Sequence, residues 1–527
     1  QRAKAQTFPE PPQRVQDRSR GAPKYAKRSG IGPQRALEAN TKAPSATRES
    51  PNLPRASSAS AGPIPRSAKI RQAERDRSEA SLGGDHQNPL AHSAKAQISP
   101  EPPQRAEDRS RGAPGLPVVT PQLWSAHMSF VEAFRALPLE GLMSQARSSN
   151  AEQVDSVLRR GTSSVSDFAT LLSPAAATRL EDLCRRSQAL TRQRFGKTIR
   201  LFAPLYLSNE CINNCAYCGF SRDNPILRVT LAEQEVKREA LALAGQGFRN
   251  ILLVAGEHPK FVSNGYMAAC VRALHPFIPS LSLEVGPMET ADYHPLVQAG
   301  AEGLVVYQET YDREVYAQMH TLGPKRDFDW RLATPERAYS AGFRRLGIGA
   351  LYGLADWRQE AISVAAHAAW LLKHCWKAQV TVSLPRLRPC AGEFQPLTGF
   401  QDRDLVQVIT ALRLFLPDVG LVLSTREPAP LRDGLLPLGI THASAGSHTE
   451  PGGYTGAGKD AIHHTVRGRI EALAPDSPEW KTTQGRATNA TGQFDIADDR
   501  SPSDVADVIR RLGYEPVWKD WDAALSE

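Results

Sequence analysis

Between residues 199 and 446 the chain alternates eight short runs of β-branched and apolar residues with longer amphipathic stretches. The runs are IRLFAPLYLS (199–208), NILLVAGE (250–257), LSLEVG (281–286), GLVVYQET (303–310), RLGIGAL (345–351), QVTVSLPRL (379–387), GLVLSTRE (420–427) and GITHASAG (439–446). Between them, segments such as LAEQEVKREALALAGQG and WRQEAISVAAHAAWLLKHC place apolar residues three and four apart, the period of a helix with one buried face. Such alternation predicts a parallel sheet, because a parallel neighbour is reached only through a crossover. Eight units favour closure into an α/β (βα)8 TIM-type barrel; an open doubly wound sheet is the alternative.

Polar residues gather at the ends of these runs. Glu257, Glu284, Gln308, Glu309, Arg386, Ser424, Arg426 and Ser444 fall in the last part of a run or just after it. In a (βα)8 barrel those ends open at one mouth, where chemistry sits.

What precedes and follows the barrel differs in character. Residues 1–127 hold 21 Lys and Arg against 11 Asp and Glu, whereas 128–527 hold 43 against 45, so the net charge of +8 belongs to the leading segment. That segment is rich in Pro, Ser and Arg, lacks apolar periodicity, and is expected to be disordered. Its block Ala3–Pro23 returns at Ala94–Pro114 with 17 of 21 positions matching. A basic arm for nucleic acid is one reading of it; a solvated spacer or non-native leader is the commoner one. Met128 is the first methionine and opens periodic sequence, which places the expected native start there. Residues 128–197 read as a helical lead-in, 198–450 as the barrel, and 451–527 as a loop and helix, opened by Ser503 or a nearby Asp, that covers it. No long apolar run or secretory pattern is present, so no membrane span is expected and the cytoplasm is the default compartment.

Seven cysteines are too few for a disulfide scaffold, and three of them, Cys211, Cys215 and Cys218, stand together in CINNCAYCGF directly after the first run. Thiolates suit zinc or an iron-sulfur cluster. Structural zinc wants a fourth protein ligand, and the remaining cysteines, at 184, 270, 375 and 390, are scattered. Three thiolates on a four-iron cluster leave one iron open to a small molecule.

The CxxxCxxC spacing with Tyr217 before its last cysteine and Phe220 after it resembles the radical S-adenosylmethionine (SAM) enzymes. That resemblance implies a 4Fe-4S cluster whose open iron holds the amino and carboxylate groups of SAM. VAGE, with Ala255, Gly256 and Glu257, looks like the family's Gly-Gly-Glu strand end that binds the SAM amino group, with Ala255 in place of the first glycine. Gln308, Glu309 and Arg331 resemble positions that bind the SAM ribose and carboxylate.

Within that superfamily, nearly all of residues 128–525 resembles the tyrosine lyases of bacterial thiazole biosynthesis, the 2-iminoacetate synthases. PLYLSNECINNCAYCGF, VVYQETYDREVYAQMH, GIGALYGLADWR, LSTREPAPLRDGLLPLGITHASAGSHTEPGGY and QFDIADDRSP carry the match. The resemblance implies cleavage of L-tyrosine at Cα–Cβ to 2-iminoacetate and p-cresol for thiamine. It also implies a flavodoxin- or ferredoxin-type reductant, and thiazole synthase as a partner. The related lyases of hydrogenase maturation use a second cluster held by C-terminal cysteines, and no cysteine follows Cys390 here. For the substrate, Ser424 and Arg426 are the leading candidates, since a guanidinium fork matches a carboxylate bidentately. Arg386, Arg388, Ser444, Ser447, Thr449 and Glu450 are secondary ones, and an ion pair of Arg426 with Glu427 or Glu309 is the structural alternative.

Overall fold

The computed structural model describes residues 128–471 and 490–518. The basic segment 1–127 and its duplicated block lie outside the described residues.

Eight parallel strands form one closed barrel. They are β1 (Thr198–Ser208), β2 (Asn250–Ala255), β3 (Ser280–Glu284), β4 (Gly303–Val305), β5 (Arg345–Gly349), β6 (Gln379–Ser383), β7 (Gly420–Leu423) and β8 (His442–Ser444). Each pairs with its sequential neighbour, and β8 returns to β1 in the register His442↔Arg200, Ala443↔Leu201, Ser444↔Phe202. That last pairing excludes the open doubly wound sheet. Burial on alternate positions of β1 puts Ile199, Leu201, Ala203 and Leu205 at zero exposure, so this strand is covered by the helical ring as a barrel strand must be.

The regular strands stop earlier than the apolar runs suggest. β4 ends at Val305, so Gln308 and Glu309 lie beyond the strand rather than on it. The chain there still bonds to β5, through Val306 N–H to Gly347 at 2.9 Å and Gln308 N–H to Gly349 at 3.0 Å. Glu309 then turns to a φ of +73°, which breaks the pleat. A non-glycine residue in this region is strained, and Glu360 holds the turn by accepting from the Tyr311 N–H at 2.9 Å and from the Thr310 hydroxyl at 2.5 Å.

Six helices precede the barrel, from Phe130–Arg135 to Leu180–Phe195, and they pack against its helical ring. Local signals are clear here: Asn150 and Gln153 form a capping box at the start of Ala151–Arg160. Phe130 stacks on His367 of the ring helix Trp357–His374 at 3.9 Å between centroids.

The C-terminal region departs from the expected cover. Its helix is Pro502–Arg511, capped by Ser501 rather than Ser503, because Pro502 occupies the first turn where no N–H is needed. The apolar end that follows forms a ninth strand, β9 (Glu515–Val517), parallel to Thr198–Arg200 of β1. That is the end of β1 opposite the cysteines. The mouth is crossed instead by the irregular segment 490–498, which bonds to the cysteine loop, to Thr449 and to Thr425. The loop GGYTGAG (452–458) is tied down by Glu239 of a ring helix, which accepts from the Tyr454 and Thr455 amides at 2.9 and 2.8 Å. Among the described residues no helix is long and apolar enough to cross a membrane.

Candidate active site

The three clustered cysteines sit on a loop that small elements hold from both sides. Asn214–Cys215 pairs with His320–Leu322, in the register Asn214↔Leu322 and Cys215↔His320. Ile226–Arg228 forms a three-stranded sheet with His463–Val466 and Arg469–Glu471. Arg228, 1% exposed, donates to the Phe220 carbonyl at 3.1 Å and the Ser221 carbonyl at 2.8 Å, and also to the Asn209 carbonyl. This buried guanidinium ties the loop's exit to its entry. These pairings were not evident from periodicity, since strands of two to four residues carry too short a pattern.

All three thiols line one cavity with Phe220, Gly256, Glu257, Glu309 and Arg331. Burial pushes the Cys218 thiol up to about 11 and Cys215 higher still, so binding a metal there must release protons. Among the described residues no three His, Cys, Asp or Glu side chains converge on a single ion. Three thiolates on one loop suit a cluster, in which each binds its own iron, whereas structural zinc wants a fourth protein ligand.

Around the thiols the candidate cofactor residues fall into place by close packing. At the end of β2, a Cβ on Gly256 would collide with the Glu210 carbonyl, so only glycine lets the strand end approach the cysteine loop. Glu257 lies over Gly286, accepts from Asn213 at 2.7 Å, and its carbonyl accepts from the Ile212 amide at 2.8 Å. Burial alone would raise the Glu309 carboxyl, but Lys325 at 2.6 Å and Arg331 at 3.3 Å overrule it and hold it below the ordinary value. Lys325 escaped sequence reasoning because it lies in a turn outside any strand end, and only the chain's return brings it here. Tyr217 and Gln308 point elsewhere: the Tyr217 hydroxyl bonds His320 at 2.7 Å, and the Gln308 amide donates to the Phe328 carbonyl at 3.3 Å. Ala255 ends β2 opposite Ser208, packed against the core.

A second, mostly apolar cavity runs down the barrel axis from the first. Phe202, Leu252, Tyr307 and Leu384 line it together with Ser424, Arg426, Ser444, Ser447 and Thr449. Arg426 makes no ion pair among the described residues; its guanidinium lies 3.4 Å from the ring centre of Phe494 and donates weakly to the Arg386 carbonyl at 3.4 Å. The pairing with Glu427 or Glu309 anticipated as its alternative is therefore absent. Glu427 is taken by Arg386, which also binds Asp402 at 2.7 Å and does not line the cavity. Arg388 donates to the Asp495 carbonyl at 3.5 Å, and Glu450 accepts from His448 at 3.0 Å. The Ser447 hydroxyl is buried in the cavity wall and has no hydrogen-bond partner among the described residues. The Ser444 hydroxyl accepts from the Thr425 amide at 3.1 Å.

Three side chains line both cavities: Glu284, Tyr307 and Gln493. Gln493 belongs to the segment across the mouth, where it accepts from the Tyr206 hydroxyl at 2.8 Å and lies 3.8 Å from the Cys218 sulfur. It opens the stretch QFDIADDRSP, but its place at the site was not legible there, since only the packing lays that irregular stretch across the mouth.

The Radical SAM superfamily pattern matches residues 205–363, and that of the Biotin and Thiamin Synthesis associated domain matches 383–515. The 2-iminoacetate synthase of Escherichia coli (strain K12) is 42% identical over 398 residues, which are 75% of this chain and 98% of that protein. The Salmonella typhimurium enzyme of the same name is 41% identical over the same coverage. Among solved structures, the FeFe-hydrogenase maturase HydG from Carboxydothermus hydrogenoformans aligns over 70% of this chain and 80% of its own, with 32% identity and a TM-score of 0.59.

Proposed function

The chain belongs to the 2-iminoacetate synthase family of radical SAM enzymes, and on that premise we propose how its residues perform the family's reaction. It is a carbon-carbon lyase that cleaves the Cα–Cβ bond of L-tyrosine to 2-iminoacetate and p-cresol in thiazole formation for thiamine, with SAM cleaved to 5′-deoxyadenosine and methionine. A 4Fe-4S cluster and SAM, when bound, supply the one-electron chemistry that takes a hydrogen atom from the substrate.

In this reading Cys211, Cys215 and Cys218 would hold the cluster. Glu257 at the strand end would receive the SAM ammonium, and Arg331 with Lys325, which orders Glu309 beside it, would receive the SAM carboxylate. Arg426 clamps the tyrosine carboxylate, and the hydroxyls of Ser424 and Ser447 take further polar atoms. Tyr206, Gln493 and Phe494 close the mouth and exclude water, which would otherwise reach a reactive intermediate. Supporting this reading is one arrangement: a guanidinium without an ion pair among the described residues and three thiols line two cavities that share Glu284, Tyr307 and Gln493.

We further propose that a reduced flavodoxin or ferredoxin supplies the electron, that thiazole synthase consumes the imine, and that the enzyme works in the cytoplasm. The test is an anaerobic assay of the reconstituted full chain with SAM, reductant and L-tyrosine, reading 5′-deoxyadenosine and p-cresol together. Both products are expected, and both are lost in Cys215→Ala. Deoxyadenosine without p-cresol would overturn the substrate, and neither product from a fully loaded enzyme would overturn the reaction.

A further inference from the structure

Two charged groups in the axial cavity make no ion pair among the described residues, and they carry opposite signs. Arg426 is one. Glu284, at the end of β3, is the other: it is half-buried, with its free face on the cavities, and no described group hydrogen-bonds its carboxylate. A carboxylate inside a barrel without donors is poorly solvated unless a ligand completes it. The acids around it differ in this respect, since Glu257, Glu309 and Glu427 each have bonded partners.

Position adds a second argument. Of the three side chains lining both cavities, Glu284 alone is charged. The junction is where a substrate atom in the axial cavity comes nearest to a cofactor beside the thiols, so hydrogen-atom removal happens there. An amino acid whose carboxylate sits on Arg426 carries its ammonium one carbon away, and a zwitterion needs an anion as its second anchor.

We propose that Glu284 is a catalytic residue that pairs with the α-ammonium of the substrate at the junction and takes one proton from it. The step rests on the tyrosine-lyase reading above. It is a proton transfer alone: an N–H bond of the ammonium breaks, an O–H bond forms on Glu284, and a neutral amine and a neutral carboxyl result with no change of oxidation state. The neutral amine then presents an N–H toward the cofactor cavity.

The surroundings suit the exchange. Burial and the nearby Glu309 push the Glu284 carboxyl up to about 7, against the pull of Arg426, Arg331 and Lys325. Tyr206 on β1 and Tyr307 beyond β4 face it as neutral phenols, and Glu257 lies behind Gly286. No histidine is among these neighbours.

The experiment uses the cluster-loaded full chain with SAM and no reductant, so that ligands bind without turnover. Calorimetry measures affinity for L-tyrosine and for 3-(4-hydroxyphenyl)propanoate, which keeps the ring and carboxylate but has no amine. Glu284→Gln is expected to weaken L-tyrosine about tenfold or more, as loss of a charge-assisted bond does, and to leave the desamino probe unchanged. In the wild type, tyrosine affinity falls as pH drops through about 7, because protonated Glu284 no longer attracts the ammonium, and the Gln variant loses that dependence. Glu284→Asp, with the charge on a shorter arm, restores part of the affinity and guards against misfolding of the Gln form. Equal losses for both probes, a loss in SAM affinity with tyrosine unaffected, or no change at all would each overturn the role. A wild type that binds and cleaves tyrosine while Glu284→Gln matches it refutes this proposal alone; a wild type inert toward tyrosine refutes the reading beneath it.

Discussion

Replacing Gly219 with alanine tests whether the segment across the mouth is wedged against the cysteine loop. Gly219 directly follows Cys218, and its N–H donates to the Gln493 carbonyl at 3.0 Å. A Cβ there would stand 2.6 Å from the Gln493 oxygen and 2.7 Å from the Gly492 oxygen, where ordinary contact begins at 3.4 Å. Relief therefore needs a displacement of roughly 0.8 Å, and both obstacles are backbone, so no rotamer change supplies it. Overpacking of this kind costs about 1–3 kcal/mol. Applied to the balance between closed and open mouth, that is a factor of roughly 5 to 150. Expected results are faster hydrogen exchange over 490–498 and a higher ratio of 5′-deoxyadenosine to p-cresol, because water reaches the site before tyrosine is committed. Gly245→Ala is the control, since a Cβ there meets nothing within 4 Å. If Gly219→Ala keeps wild-type exchange, product ratio and iron content, the steric argument fails.

Other substitutions probe separate parts of the site. Arg426→Lys should raise KM for tyrosine about tenfold or more by replacing a bidentate fork with a point charge, while iron content stays the same; unchanged kinetics would remove Arg426 from the substrate. Asp498→Asn should destabilise the fold by about 3–5 kcal/mol, read by denaturant unfolding, because Arg432 at 2% side-chain exposure would lose its buried partner. The same pair makes a pH prediction. Burial raises the Asp498 carboxyl, but Arg500 and Arg432 outweigh it and hold it below the ordinary value. A depressed carboxyl gives its full stabilisation above the unfolded value near about 3.9 and loses it as pH falls further, so wild type and Asp498→Asn should converge in stability in acid.

Eightfold alternation of strand and helix was legible along the chain because each strand and its crossover form a local pattern, and closure of the sheet follows from the number of such units. The thiol loop was legible for a similar reason: its ligands are seven residues apart at most, from Cys211 to Cys218, so spacing in sequence is spacing in space. Residues at strand ends, such as Glu257, Glu309, Arg426 and Ser444, were visible as candidates because a barrel sends every strand end to one mouth. Which charges among them are free was not visible. Arg386 and Arg426 sit at adjacent strand ends with similar polar neighbours in sequence, yet one is consumed by Glu427 and Asp402 and the other faces the cavity. Sequence also left hidden Lys325, Gln493 and the isolation of Glu284. Periodicity reports which face of an element is buried; pairing between side chains of different elements depends on how those elements pack, and only the closed barrel, with segment 490–498 laid across its mouth, decides it.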